Sequence, residues 1–124
     1  MSITRTNYMT ITNENCPMLV LQPQGRLDCD GSKLLEAQFM RLILQRGTLW
    51  VVDLAQVDFM DSSGLVALIT GLKAARGNNC RLVLCHLPEP IKLILELTQL
   101  DSVFEICESY DAVSTLTEPA VLAA

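Results

Sequence analysis

The 124 residues are 50% hydrophobic and carry nine basic against fourteen acidic side chains, a formal net charge of −5. That is enough chain for one core and too little for two ordinary domains. One domain is therefore expected over residues 1–118, with 119–124 as a frayed tail beginning at Pro119. No Lys/Arg run is present, which argues against nucleic acid and anionic membrane as partners, since both need clustered positive charge.

No apolar stretch approaches the roughly 20 residues that span a bilayer. The polar start of the chain lacks a signal-peptide core, so a cytoplasmic location is expected. The five cysteines, Cys16, Cys29, Cys80, Cys85 and Cys107, contain no C-x-x-C pair. Neither a disulfide framework nor a metal site is expected from them, and reduced thiols packed as small apolar residues are the default.

In chain order, Tyr8 to Thr12 alternates in hydrophobicity and Met18 to Leu21 follows after a turn-forming stretch, which predicts a β-hairpin. Pro23 lacks a ladder donor, so the second strand should end there or lie at an edge. Over residues 31–46, Leu35, Phe39, Leu42 and Ile43 keep helical spacing. Asp30 or Ser32 could cap that helix and Gly47 could stop it.

The run Leu49, Trp50, Val51, Val52, Asp53, Leu54 reads as a strand covered on both faces. Leu65, Leu68, Ile69 and Leu72 then fall at i, i+3, i+4 and i+7, the spacing of a helix packed on a sheet. Gly77, Asn78 and Asn79 end that helix, and Arg81 to Cys85 is the next strand. Pro88 and Pro90 suit a helix start. There Ile91, Ile94 and Leu95 form an apolar stripe that Leu93 and Leu97 widen, which favours deep burial over a docking patch. Phe104 to Ile106 should be a last short strand, and Ala112, Val113 and Leu116 fit a final helix. Strand and helix alternate throughout, the order of a mainly parallel α/β sheet.

Between the Leu49 strand and its helix stand Asp61, Ser62, Ser63 and Gly64. Asp61 and Ser62 are good N-cap types, and capping alone would account for such a turn. The longer string Val57-Asp58-Phe59-Met60-Asp61-Ser62-Ser63-Gly64-Leu65 nevertheless resembles the phosphorylation-site motif of STAS domains, the anti-sigma factor antagonists of bacteria. Gly25-Arg26-Leu27-Asp28 is similar to the family's Gly-x-Leu-Asp segment at the end of the second strand, and Pro23 departs from its usual apolar residue. The order of elements extends the likeness over nearly the whole chain.

The resemblance implies a STAS-like single domain, a mixed, mainly parallel β-sheet with helices packed against it. It also implies a protein-binding switch with no cofactor and no catalytic activity. Its partner would be an anti-sigma factor that is itself a serine kinase, with a serine phosphatase as a further partner. Ser62 takes the place of the phosphoacceptor, Asp61 would orient the turn, and Ser63 with Gly64 would keep the helix start accessible. Asp28 would touch the partner or fix the neighbouring loop, while a plain turn-capping carboxylate is the alternative. A constitutive scaffold or adaptor that is never phosphorylated is the rival function, and the oligomeric state is left open.

Three other chemistries find little support. Asp53 could be the phosphoacceptor of a receiver domain, but the acidic pair and Lys that clamp the phosphoryl group are missing, so a structural or turn-facing carboxylate is expected. His86 follows Cys85 directly, and on one strand the two side chains would face opposite ways. A Ser62–His86–carboxylate triad lacks the G-x-S-x-G elbow, and no phosphate-binding glycine loop is present.

Overall fold

The central strand of the five-stranded sheet is buried along its whole length, and the rest of the architecture is arranged around it. A computed structural model describes residues 7–12, 17–44 and 49–108. Strands β1 (Asn7–Thr12) and β2 (Pro17–Gln22) form the expected antiparallel hairpin. With β4 (Leu49–Asp53), β6 (Arg81–Cys85) and β7 (Glu105–Cys107) they make a five-stranded sheet of order β1-β2-β4-β6-β7, in which every pairing but the first is parallel. Helices α1 (Cys29–Ile43), α2 (Ser62–Gly77) and α3 (Glu89–Leu97) complete an α/β domain, with a 3-10 turn at Leu100–Ser102.

All five residues of β4 are buried, which accounts for its nearly unbroken apolar run. Alternation sends Leu19, Leu21, Trp50, Val52, Leu82 and Leu84 into the main core, where Leu35, Phe39 and Leu42 of α1 meet them. Met18, Val20, Leu49, Val51, Val83, Cys85 and Cys107 form a second buried cluster. Phe39 stacks on Trp50 with ring centroids 6.0 Å apart. Each large side chain so buried contributes about 1.5–3 kcal/mol.

On α2 the buried positions are Gly64, Ala67, Leu68, Gly71, Leu72 and Ala75. Small residues dominate this stripe, which lets α1 come close. A Cβ at Gly71 would run into the Phe39 ring, so the glycine makes room for that aromatic.

Three expectations are corrected. The Gly25 segment does not extend the second strand. After Gln22 the chain breaks at Pro23 and starts a separate strand, β3 (Gly25–Leu27). It pairs in parallel with β5 (Val57–Met60), a strand whose mixed polarity hides it in the sequence because its burial pattern does not alternate. Helix α1 starts before Asp30 and is capped by Asp28, not by Asp30 or Ser32, because the capping oxygen must stand where the strand ends. On α3, Ile91 and Leu95 are buried, whereas Leu93 and Leu97 are 53% and 75% exposed, so the helix lies on the surface and is not deeply buried. Gly47, the expected last helix and the tail fall outside the described residues. Among the described residues no helix is long and apolar enough to cross a membrane.

Candidate functional site

Two strand ends build this site. Arg26 stands opposite Phe59 and Leu27 opposite Met60 in the β3–β5 pair, so Asp28 and Asp61 follow at matched positions. Each is in extended conformation and each caps a helix. Asp28 Oδ1 accepts the Gly31 N–H at 3.0 Å, and Asp61 Oδ1 accepts the Ser63 N–H at 2.9 Å. The Asp61 N–H in turn donates to the Leu27 carbonyl at 3.3 Å, which ties the second helix start to the first strand.

The Gly31 N–H bond, helped by the Arg26 side chain, holds the Asp28 carboxyl below its usual range despite some opposing desolvation. Arg26 Nε lies 3.4 Å from Asp28 Oδ2, and its guanidinium sits 4.1 Å over the Phe59 ring. Asp28 is thus a helix cap, as the plainer of its two readings held. Its carboxylate stays half-exposed beside the site.

Ser62 is the first residue of α2 and is exposed, while Ser63 is half-buried. Gly64 is buried, and a Cβ there would lie 2.7 Å from the Leu27 carbonyl oxygen and 2.5 Å from Met60 Cγ. Its small size therefore serves the inward packing of α2 on β3, and it leaves the outer surface to its neighbours. The structure brings Asp28, Asp61, Ser62, Ser63 and Gly64 into one corner of the fold.

Between the two helix starts lies a groove of about 300 Å³, lined by Cys29, Ser32, Lys33 and Glu36 of α1 and by Ser62, Ser63 and Val66 of α2. None of these α1 residues was assigned to the site from the sequence, although 29, 32, 33 and 36 fall at i, i+3, i+4 and i+7 and so mark one helix face. That face is polar, and a search for apolar stripes passes over it. The groove offers Ser62 a hydroxyl-lined rim, one ammonium from Lys33 and the partial positive ends of two helices.

A serine–histidine pair is not assembled at this groove. Asp61 is engaged with the Ser63 N–H, and no histidine lines the groove. His86 lies instead with Asp53 and Cys85, and here a further expectation is corrected. Strand β6 ends at Cys85, and His86 takes a left-handed conformation, φ 55°, that brings Nδ1 to 3.7 Å from Cys85 Sγ. The two side chains do not diverge because only one of them belongs to the strand. Burial, with smaller contributions from Asp53 and Cys107, pushes the Cys85 thiol up to about 12, so it is protonated at neutral pH and is a poor nucleophile. Asp53 accepts the Ala55 N–H at 3.0 Å, the turn-facing role expected of it.

Comparison with known proteins follows the same outline. The candidate anti-sigma factor antagonist BtrV of Bordetella bronchiseptica is 26% identical over 104 residues, which cover 84% of this chain and 90% of BtrV. Among solved structures, unphosphorylated SpoIIAA superposes with a TM-score of 0.65 at 15% identity, over 90% of this chain and 99% of its own. Phosphorylated SpoIIAA of Bacillus gives 0.64 at 16%, over 89% and 99%. A serine-to-glutamate variant of RsbS from Moorella thermoacetica gives 0.75 at 16%, over 94% and 98%. These structural likenesses establish the fold. The STAS domain model matches residues 7–113, and the chain therefore belongs to the STAS domain family.

Proposed function

We propose that this domain is a cytoplasmic anti-sigma factor antagonist, a binding switch that holds an anti-sigma factor with serine kinase activity while Ser62 is unmodified. The kinase moves the γ-phosphoryl group of ATP to Ser62 Oγ, the hydroxyl proton and ADP leave, and the partner is released. A serine phosphatase restores the binding form. The observation that carries this reading is the exposed Ser62 at the first position of α2, on the rim of a groove that holds Lys33. The name of BtrV and the existence of SpoIIAA in both phosphorylation states support it.

The physical case is one of charge. A phosphoserine adds about 1.5–2 negative charges and three acceptor oxygens. At a helix N-terminus the free N–H groups and the dipole accept that charge, so the fold survives the modification. A partner that had covered a neutral hydroxyl would instead meet a doubly charged group next to Asp61. A loss of about 3 kcal/mol at such an interface weakens binding roughly a hundredfold.

Phosphosite mapping of the protein from growing and stressed cells, with identification of what co-purifies, tests the proposal. Condition-dependent phosphate on Ser62 beside a kinase-like partner is expected. Ser62 unmodified in every condition would overturn it. The exposed Leu93 and Leu97 of α3 favour a second reading, a constitutive adaptor that docks through this apolar surface. Stable assembly unaffected by Ser62 substitution would support that alternative.

A further inference from the structure

A second cluster of chemistry-bearing side chains lies where the central strands end. Asp53 and Cys85 are the last residues of β4 and β6 and are register partners, so their side chains leave the same face of the sheet. The carboxyl ends of parallel strands are where such folds gather ligands. His86 turns its ring back over the pair through its left-handed backbone, placing Nδ1 at 3.2 Å from Asp53 Oδ1 and 3.7 Å from Cys85 Sγ. One donor atom from each residue lies within 4.8 Å of the other two.

The approach to a single nitrogen is the informative detail. A nucleophile–histidine–carboxylate relay uses both ring nitrogens, one for each neighbour. Here the thiol and the carboxylate converge on Nδ1, as donors do around a common centre. With zinc–ligand lengths of about 2.0–2.3 Å, a tetrahedral ion sets its N and O ligands about 3.4 Å apart and its N and S ligands about 3.6 Å apart. The observed 3.2 and 3.7 Å match both edges.

Imidazole, thiolate and carboxylate together suit a borderline divalent cation such as zinc better than magnesium or calcium. Asp53 is already oriented for the role. Its Oδ2 accepts the Gln22 Nε2–H at 3.1 Å and its Oδ1 the Ala55 N–H, the outer bonds that ligating carboxylates characteristically hold. The Asp53 side chain is 8% exposed and His86 is 33% exposed, so the cluster meets solvent on its His86 side.

We propose that Asp53, Cys85 and His86 form a binding site for a zinc-class divalent cation, which ties the end of β4 to the end of β6 where the chain turns towards α3. The cation supplies the positive charge that a buried thiolate otherwise lacks.

The test uses the full chain, stripped with a chelator, dialysed and titrated with Co²⁺ as a spectroscopic stand-in, alongside Cys85→Ser and His86→Asn. Asn tolerates the left-handed backbone at position 86, so this variant keeps the turn. The expected result is one Co²⁺ per chain, with a thiolate-to-cobalt charge-transfer band and intense tetrahedral visible bands that one equivalent of Zn²⁺ abolishes. Cys85→Ser should lose the charge-transfer band, and both variants should bind Co²⁺ roughly tenfold more weakly or worse. Circular dichroism checks folding, and His86→Asn carries the test if the buried Cys85→Ser variant unfolds. Absence of Co²⁺ binding by the wild type would leave a plain Asp53–His86 ion pair and overturn the proposal. A charge-transfer band that persists in Cys85→Ser, or wild-type Co²⁺ affinity in His86→Asn, would place the ion on other groups and overturn it as well.

Discussion

Leu27 and Met60 face each other across the parallel β3–β5 pair, and the aspartate after each of them caps a helix. A two-stranded sheet of seven residues in total thereby sets two helix starts side by side. The groove beside Ser62 is the space between those starts. Its shape depends on the register of β3 against β5, and a slip of one residue would separate the caps.

Substitution of Ser62 should separate binding from stability. Ser62→Ala should bind the partner and resist release by the kinase, while Ser62→Asp should bind about a hundredfold more weakly. Both should melt close to the wild type, because Ser62 is exposed and a carboxylate at the first helical position gains only about 0.3–1 kcal/mol from the dipole. Equal partner affinity of the two variants in a calorimetric titration would contradict the switch.

Asp61 combines a cap with a charge, and two variants divide these roles. Asp61→Ala should lose about 1 kcal/mol in urea denaturation through the missing bond to the Ser63 N–H. Asp61→Asn keeps a capping oxygen and should stay within a few tenths of a kcal/mol. It should also narrow the affinity gap between phosphorylated and unmodified protein, since one of the two repelling charges is gone.

Asp28 makes the acid limb of stability depend on pH. Its carboxyl is held below the unfolded value of about 3.9, so its stabilising contribution is complete above that pH and is lost as pH falls through the lower folded value. Asp28→Asn should flatten the fall in melting temperature below about pH 4 and leave the slope near neutrality unchanged. Identical acid limbs for variant and wild type would show that other carboxylates govern that range.

Gly71 and Phe39 should behave as a coupled pair. Gly71→Ala drives a methyl into the Phe39 ring and should cost about 1–3 kcal/mol, more than the roughly 1 kcal/mol that alanine gains in helix propensity. Phe39→Leu leaves space in the same place, so the double variant should be more stable than the sum of the single losses implies. Strict additivity in denaturant titrations would exclude the contact as the cause.

The sequence by itself determined the type and order of the three described helices and of the strands of the five-stranded sheet, the buried central strand and the Ser62 turn. Each of these is written locally, as hydrophobic period, turn chemistry or a contiguous motif. The β3–β5 pair was not legible, because Val57–Met60 is short and its polarity is explained only by its partner strand. The surface placement of α3 was likewise decided by packing, since its wide apolar stripe meets core on one side alone. Lys33 entered the site because its helix face lies against α2, and Asp53, Cys85 and His86 met because two strand ends share a register. Periodicity reports which face of an element is apolar, whereas tertiary pairing over long sequence separations decides what that face, and the polar one opposite, will meet.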